Sequence, residues 1–301
     1  MNGGGISCTI GICAYNEQEN IGHLLKSLLD QKLKNVRISQ IVVIASGCTD
    51  DTERIVLQYQ KRSKLIRLIH EDQRRGKVSA VNLFLKNTVE DILVLESADT
   101  LPKENTVEKL VSVFADPSVG LAGVRPIPLN KKNSLVGYAV NLQWQLHHLI
   151  SLKSPKMGEM IAFRRSFIQI DPKSIVDEAL LQVIIAAQGY KTCYVPNAIV
   201  NNKGPETIRD FLRQTRRNYA GHLVLKNAFS YQVSTLNLST ILKALPQTIE
   251  WKPKPLIYLF GTIILEGIGR SFGWYDYYFN KKRRHNIWKI ASTTKCLIKN
   301  P

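Results

Sequence analysis

The residues best suited to chemistry stand at the ends of apolar runs. Ser97, Ala98, Asp99 and Thr100 follow the run 91–96, so Asp99 is an acid placed where a strand ends and a turn begins. A carboxylate there can hold a divalent cation of the magnesium or manganese type, which prefers oxygen ligands. It can equally cap the helix that follows Pro102. After the run 7–15 come Asn16, Glu17 and Glu19, with Asn16 and Glu19 spaced as in a capping box. After the run 38–45 comes Ser46-Gly-Cys-Thr-Asp-Asp-Thr, whose acids Asp50 and Asp51 suit the first turn of a helix. Arg75 and Lys77 flank Gly76, and Arg216 and Arg217 are adjacent. Arginine binds phosphate through paired donors, although two neighbours on a basic helix also read as a solvated face.

These positions need elements to present them. The runs 7–15, 38–45, 65–70 and 91–96 are too continuously apolar for strands with one wet face, and so read as buried parallel strands. Helical stripes alternate with them: Leu24, Leu25, Leu28 and Leu29; then Ile55 and Val56; then Ala80, Val81, Phe84 and Leu85. Strand, helix, strand, helix with short joints predicts βαβ units around a mostly parallel sheet. Ligands bind such sheets outside the carboxyl ends of the strands, which is where the polar residues lie. Further on, the pattern predicts a helix over 133–152 carrying Trp144, His147 and His148, and a strand over 158–164. A helix over 177–188, a strand over 191–195 stopped by Pro196, and a long basic helix over 207–226 complete this part.

Composition bounds the possibilities. The chain has 301 residues, 44% hydrophobic and 22% charged, which excludes a disordered or low-complexity protein. Cys8, Cys13, Cys48, Cys193 and Cys296 are scattered, with neither a CxxC pair nor zinc-ligand spacing. No secretory signal is read at the amino end, so a cytosolic site is expected for the bulk of the chain. Of the net charge of +17, +12 falls between residues 203 and 301. Such an excess suits a solvated face, nucleic acid or an anionic membrane surface.

Seven motifs in order over residues 6–222 resemble a family 2 glycosyltransferase of the GT-A fold. Ala14, Tyr15, Asn16 and Glu17 are similar to the nucleotide-contacting end of the first strand, and 46–52 to the Asp-Gly-Ser-Thr-Asp-x-Thr turn. Arg-Gly-Lys-Val-Ser-Ala-Val-Asn (75–82) is similar to a Gly-Lys-x-x-Ala-x-Asn segment, and Ser97-Ala98-Asp99 to the metal-binding Asp-x-Asp. Residues 158–165 resemble a Gly…Arg-Arg strand, Asp177-Glu178 the acidic catalytic pair, and 214–222 a variant Gln-x-x-Arg-Trp helix.

The resemblance implies an α/β Rossmann-like mixed sheet with helices on both faces, spanning 1–226. A C-terminal helical, membrane-associating region would occupy 227–301. It implies an inverting, metal-dependent transfer of one sugar from a UDP- or GDP-sugar. Asp99 would hold Mn2+ or Mg2+, which acts as a Lewis acid on the departing diphosphate. Ala14, Tyr15, Asn16, Glu17, Ser46, Arg75, Lys77, Ser97 and Ala98 would line the donor, with Gln214, Arg216 and Arg217 on its diphosphate side. The general base is Asp177 or Glu178; neighbours at a helix start point roughly 100° apart, so one of them faces the acceptor. Trp144 and His148 either line the acceptor site or pack in the core, and packing is favoured for His222.

Departures from the pattern carry expectations too. Ala45-Ser46 replaces an acid pair that commonly reads the base, and Ser97 replaces the first acid of Asp-x-Asp. Asn218 stands for the usual Trp, which speaks against a processive polymerase. The apolar stretch 255–279 is interrupted by Glu266, Arg270 and Asp276, and its clean run 256–265 is short against the roughly 20 residues of a span. A re-entrant or in-plane membrane segment is therefore expected. Lys281, Lys282, Arg283 and Arg284 suit a cytoplasmic-side anchor, and the acceptor is expected to be lipid-linked. The other class considered is a non-catalytic binder of nucleic acid or an anionic surface. Charge-driven binding needs no acids at strand ends, so nucleic acid is not expected as a partner.

Overall fold

The computed structural model describes residues 5–167, 169–171, 178–229, 231, 233–280 and 296–297. Asp177, Lys281, Lys282, Arg283 and Arg284 lie outside the described residues.

The first half alternates β1 (Ile6–Ala14), α1 (Ile21–Leu29), β2 (Val36–Ser46), α2 (Thr52–Arg62), β3 (Ile66–Glu71), α3 (Lys77–Lys86) and β4 (Ile92–Ser97). The strands are rich in β-branched residues that fit a buried pleated surface. In α1, Leu24, Leu25 and Leu28 face the sheet together because their spacing follows the helical turn. The short β5 (Thr100–Pro102), α4 (Thr106–Ser112) and β6 (Val119–Pro128) lead to α5 (Leu135–Ser151), β7 (Met160–Arg164), α6 (Glu178–Ala187) and β8 (Lys191–Asn202). Three helices follow: α7 (Ile208–Phe229), α8 (Leu238–Ala244) and α9 (Pro253–Tyr278). Lys226, where the sequence suggests a boundary, lies inside α7.

The eight described strands form one mixed sheet in the order β3-β2-β1-β4-β7-β6-β8-β5. β1 through β4 are mutually parallel where they pair, and β7 runs antiparallel to β4 and β6. The carboxyl ends of β1–β4 and the amino end of β7 therefore share one edge. Two apolar layers cover the faces, one with Ile10, Ile12, Leu24 and Val94 and the other with Val42, Ile44, Phe84 and Phe163. Gly11 has no side chain because a Cβ there would come within 2.7 Å of the Phe84 ring. That close approach seats α3 against β1.

One expectation is corrected. The strand that begins at Lys191 does not stop at Pro196; it runs to Asn202. The β6–β8 register shifts from Val124↔Val195 to Arg125↔Ile199, so Pro196 sits in a bulge where its missing N–H costs no ladder bond. The apolar stretch lies in one continuous helix of 26 residues, Pro253–Tyr278, and Glu266, Arg270 and Asp276 make their contacts on its protein side. Glu266 accepts from Gln143 of α5 at 2.5 Å and from Arg270 at 2.8 Å, while Asp276 faces α7. Gly269 and Gly273 let α9 approach closely, since Cβ atoms there would meet Thr215 at 2.7 Å and the Arg216 carbonyl at 2.6 Å.

Candidate active site

The shared edge of β1, β2, β4 and β7 gathers most of the chemically capable residues. Ala14 is buried at the end of β1, and the Arg74 guanidinium lies over the Tyr15 ring at 4.0 Å. Arg74 is the arginine that meets the first loop, while the adjacent Arg75 is exposed. Asn16 adopts the left-handed region with φ 51°. Its side chain is bound to Thr49, accepting from the Thr49 N–H at 2.9 Å and donating to Thr49 Oγ1 at 3.1 Å. Asn16 and Glu19 thus form no capping box; α1 starts at Ile21 after Asn20. Glu17 is buried, its N–H donating to Thr52 Oγ1 at 2.7 Å and its carboxylate accepting from Asn20 Nδ2 at 3.0 Å. These bonds tie the β1 and β2 loops into one wall.

Ser46 ends β2 beside Glu71, which ends β3 in register with it. The hydroxyls of Ser46 and Ser79 each donate to the Glu71 carboxylate. The acid missing from β2 thus has a buried counterpart one strand away. Gly47 makes the turn with φ 63°, and a Cβ there would strike the Arg74 N at 2.5 Å.

Lys77 and Glu178 face each other across the edge, with Nζ donating to Oε1 at 2.5 Å. Lys77 opens α3 and Glu178 opens α6, so helix starts bring them together. Ala98 is buried, and Asp99 is half-buried in the turn between β4 and β5. Ser97 Oγ donates to the Glu159 carbonyl at 3.1 Å. Glu159, unforeseen from the sequence, has φ 51° and accepts from Asn202 Nδ2 at 2.8 Å. Burial, and then the charge of Asp99, push its carboxyl up to about 7. Glu96 accepts from Thr100 Oγ1, and burial holds its carboxyl well above the usual range.

Behind this edge, burial and then Lys156 press His222 down to about 3, while Glu178 opposes them. His147 is buried against Trp144, ring centroids 5.2 Å apart, and neither ring nitrogen finds a hydrogen-bond partner among the described residues. A Cβ on Gly158 would lie 3.6 Å from His147 and 3.8 Å from Trp144, which places Trp144 directly behind the start of β7. His148 Nδ1 is 2.9 Å from Tyr194 Oη on β8.

On α7, Gln214 is half-buried, and Arg217 Nε donates to Asn218 Oδ1 at 3.3 Å. Arg216 donates to both oxygens of Asp276, at 2.5 and 2.6 Å, and so clamps α7 to α9. That ion pair is the contact the structure gives its guanidinium, besides the Phe272 ring at 5.8 Å.

The sequence matches the family described as glycosyl transferase family 2 over residues 9–166, and glycosyl transferase family group 2 over 92–268. The chain belongs to glycosyl transferase family 2. Among curated proteins, poly-beta-1,6-N-acetyl-D-glucosamine synthase of Staphylococcus aureus is 23% identical over 83% of this chain. That of Staphylococcus epidermidis is 22% identical over 85%. The chain spans 64% and 65% of the length of those two relatives. Among solved structures, a mannosyltransferase from Pyrobaculum calidifontis in complex with GDP-Man and Mn2+ aligns with a TM-score of 0.65 at 20% identity. That alignment covers 91% of this chain and 87% of the other. Glucosyl-3-phosphoglycerate synthase from Mycobacterium tuberculosis with Mn2+, UDP and phosphoglyceric acid aligns at 0.52 and 19% identity, covering 73% and 78%.

The fold is thus that of a GT-A family 2 glycosyltransferase, and the edge described above is where its polar motifs collect. Glu71, Arg74, Glu159 and Asn202 were invisible to motif reading. Arg74 had one signal, its place beside Arg75. The other three reach the edge through strand pairing, which no local pattern encodes.

Proposed function

We propose that this chain is an inverting glycosyltransferase that moves one sugar from a nucleotide-diphospho-sugar to an acceptor hydroxyl or phosphate at a membrane face. The observation that carries this reading is the Lys77–Glu178 pair beside Asp99. It sets a phosphate-binding cation and a carboxylate base at one sheet edge, although the two residues are far apart in sequence.

The donor set at this edge fits a divalent cation, since Asp99 offers an oxygen ligand at the mouth of the sheet. Among the described residues no group of three His, Cys, Asp or Glu side chains could hold a metal. That suits an ion of the Mg2+ or Mn2+ type, which takes one or two carboxylates and completes its shell with substrate phosphates and water. Such a cation, when bound, supplies Lewis-acid stabilisation of the departing diphosphate. Lys77 adds a fixed cation to the same charge. With a hydroxyl acceptor, its oxygen attacks the anomeric carbon as the bond to the diphosphate oxygen breaks. The electron pair leaves on the diphosphate and the proton goes to Glu178. Asp177, the neighbouring candidate base, lies outside the described residues. The Arg74–Tyr15 platform supports a wall for the base, and Trp144, half-buried against Val136, Val140 and Phe211, stays an acceptor-side candidate only by its place behind Gly158.

The membrane reading rests on α9. Its outer face exposes Ile257, Phe260, Ile264, Ile268, Phe272 and Tyr275, with Ile257 and Phe260 exposed by 69% and 67%. The helix is long and apolar enough to cross a bilayer. Its other face is joined through Asp276 and Glu266 to the charged α7 and to α5, which favours lying in the interface over spanning. That placement is the support for reading the acceptor as lipid-carried, and the basic residues after α9 are the support for the cytoplasmic side.

Purified protein incubated with UDP- or GDP-sugars, Mn2+ and lipid-linked acceptors tests the reading. Transfer of a single sugar, lost in Glu178→Gln, supports it. Long polymers, as the names of the staphylococcal relatives describe for them, would replace single transfer with chain extension. Absence of transfer from every donor, with binding to anionic vesicles retained, would favour a surface-binding protein.

A further inference from the structure

Glu159 stands where a carboxylate is missing. The Asp-x-Asp position carries Ser97 in place of its first acid, and Ser97 faces the residue before Met160 because β4 and β7 pair with Glu96↔Met160 in register. That residue is Glu159, and the Ser97 hydroxyl donates to its carbonyl at 3.1 Å. Its backbone is left-handed, a conformation that side chains other than glycine, asparagine and aspartate rarely take and that clusters at functional sites. Asn202, brought in by the bulged β8 as the register partner of Thr100, donates to Glu159 Oε1 at 2.8 Å and so holds that carboxylate near the turn that carries Asp99.

A second observation is independent of the acidic cluster. Asn202 Oδ1 and Glu96 Oε2 belong to side chains exposed by 5% and 4%, and neither atom has a hydrogen-bond partner among the described residues. Buried oxygens left this way are uncommon in folded proteins. Asn202 is the register partner of Thr100, next to Asp99, and Glu96 that of Met160, next to Glu159, so both oxygens stand where two carboxyls of like charge converge. A hard divalent cation answers both conditions, because it neutralises the carboxylates and gives water or direct contact to the unpartnered oxygens.

We propose that Glu159 is the second carboxylate ligand of the divalent cation, paired with Asp99 and supplied by β7 in place of the acid absent at Ser97. The inference rests on the glycosyltransferase reading above and on a cation being bound with the donor. Its test is therefore a binding measurement. Mn2+ is titrated into the full chain with UDP or GDP present, and free Mn2+ is followed by electron paramagnetic resonance. Wild type, Asp99→Asn, Glu159→Gln and Glu159→Gly are compared; glycine accepts the left-handed backbone and keeps the carbonyl that Ser97 bonds.

Glu159→Gln and Glu159→Gly should each weaken Mn2+ binding by roughly tenfold or more, while melting curves remain cooperative. Adding Ser97→Asp to Glu159→Gly should recover binding, since the carboxylate returns to the neighbouring strand. If both Glu159 variants bind Mn2+ as tightly as wild type while Asp99→Asn does not, the role of Glu159 is overturned and the metal-dependent reading stands. If wild type binds no Mn2+ with either nucleotide, both fall together.

Discussion

The ammonium of Lys77 lies 2.5 Å from Oε1 of Glu178, at the adjoining starts of α3 and α6. This bond takes up one of the several acceptor sites of the Glu178 carboxylate. A donor diphosphate would compete for the same ammonium, so donor binding and exposure of the base are coupled through one ion pair. Lys77→Met should weaken donor binding by about tenfold to a hundredfold, the loss of one charge-assisted hydrogen bond. Isothermal titration with UDP- and GDP-sugars checks this.

Glu178→Gln keeps the shape of the base and removes its proton affinity. The rate constant kcat should fall by roughly 10²–10⁴ while donor affinity stays within a few-fold. Steady-state transfer kinetics beside nucleotide binding separate the two. An equal loss in both would move Glu178 from catalysis to donor binding.

The Arg216–Asp276 clamp should matter to stability more than to donor binding. Asp276 is buried while the Arg216 side chain is about one-third exposed, so the pair lies between surface and interior cases. Asp276→Asn should cost about 2 kcal/mol, or roughly 3 °C in melting temperature for a chain of this length. Gly273→Leu drives a side chain into the Arg216 carbonyl 2.6 Å from its Cβ and should separate α9 from α7 altogether. Thermal melts and proteolysis within α9 read both.

His222 predicts an acid limb of stability. Burial and Lys156 hold its native pKa down at about 3, against 6.5 in the unfolded chain. Below pH 6.5 the unfolded chain takes a proton that the native protein refuses, so stability present above 6.5 is lost as pH falls toward 3. His222→Gln should flatten this limb, the difference from wild type growing by about 1 kcal/mol per pH unit. Chemical denaturation at several pH values between 4 and 8 decides it, and parallel curves would place the titration elsewhere.

The outer stripe of α9 should carry membrane affinity. Replacing Ile257, Phe260 and Ile264 with Ser removes apolar area without touching the Gly269–Gly273 contact with α7. Flotation with anionic vesicles should fall sharply while nucleotide-induced stabilisation stays. Unchanged flotation would place membrane affinity elsewhere in the chain.

Much of this protein was legible along its sequence. Apolar runs marked β1, β2 and β4, which lie inside the sheet, whereas β3 at its edge exposes Arg67 and His70; Leu24, Leu25 and Leu28 set the buried side of α1. Asp99, Lys77 and Glu178, proposed as site residues from motif order, stand at element ends in the fold. What tertiary structure alone decided came from neighbours distant in sequence. Pro196 looked like a strand end, yet pairing with β6 absorbs it in a bulge and carries Asn202 onward to the site. Arg216, read as a candidate phosphate ligand, has a carboxylate 60 residues later as its partner. Glu159 meets Ser97, and Glu71 meets Ser46, only through the pairing of separate strands. A local pattern encodes which face a residue shows, because that depends on the helical or pleated period; which partner waits there depends on the order in which strands enter the sheet.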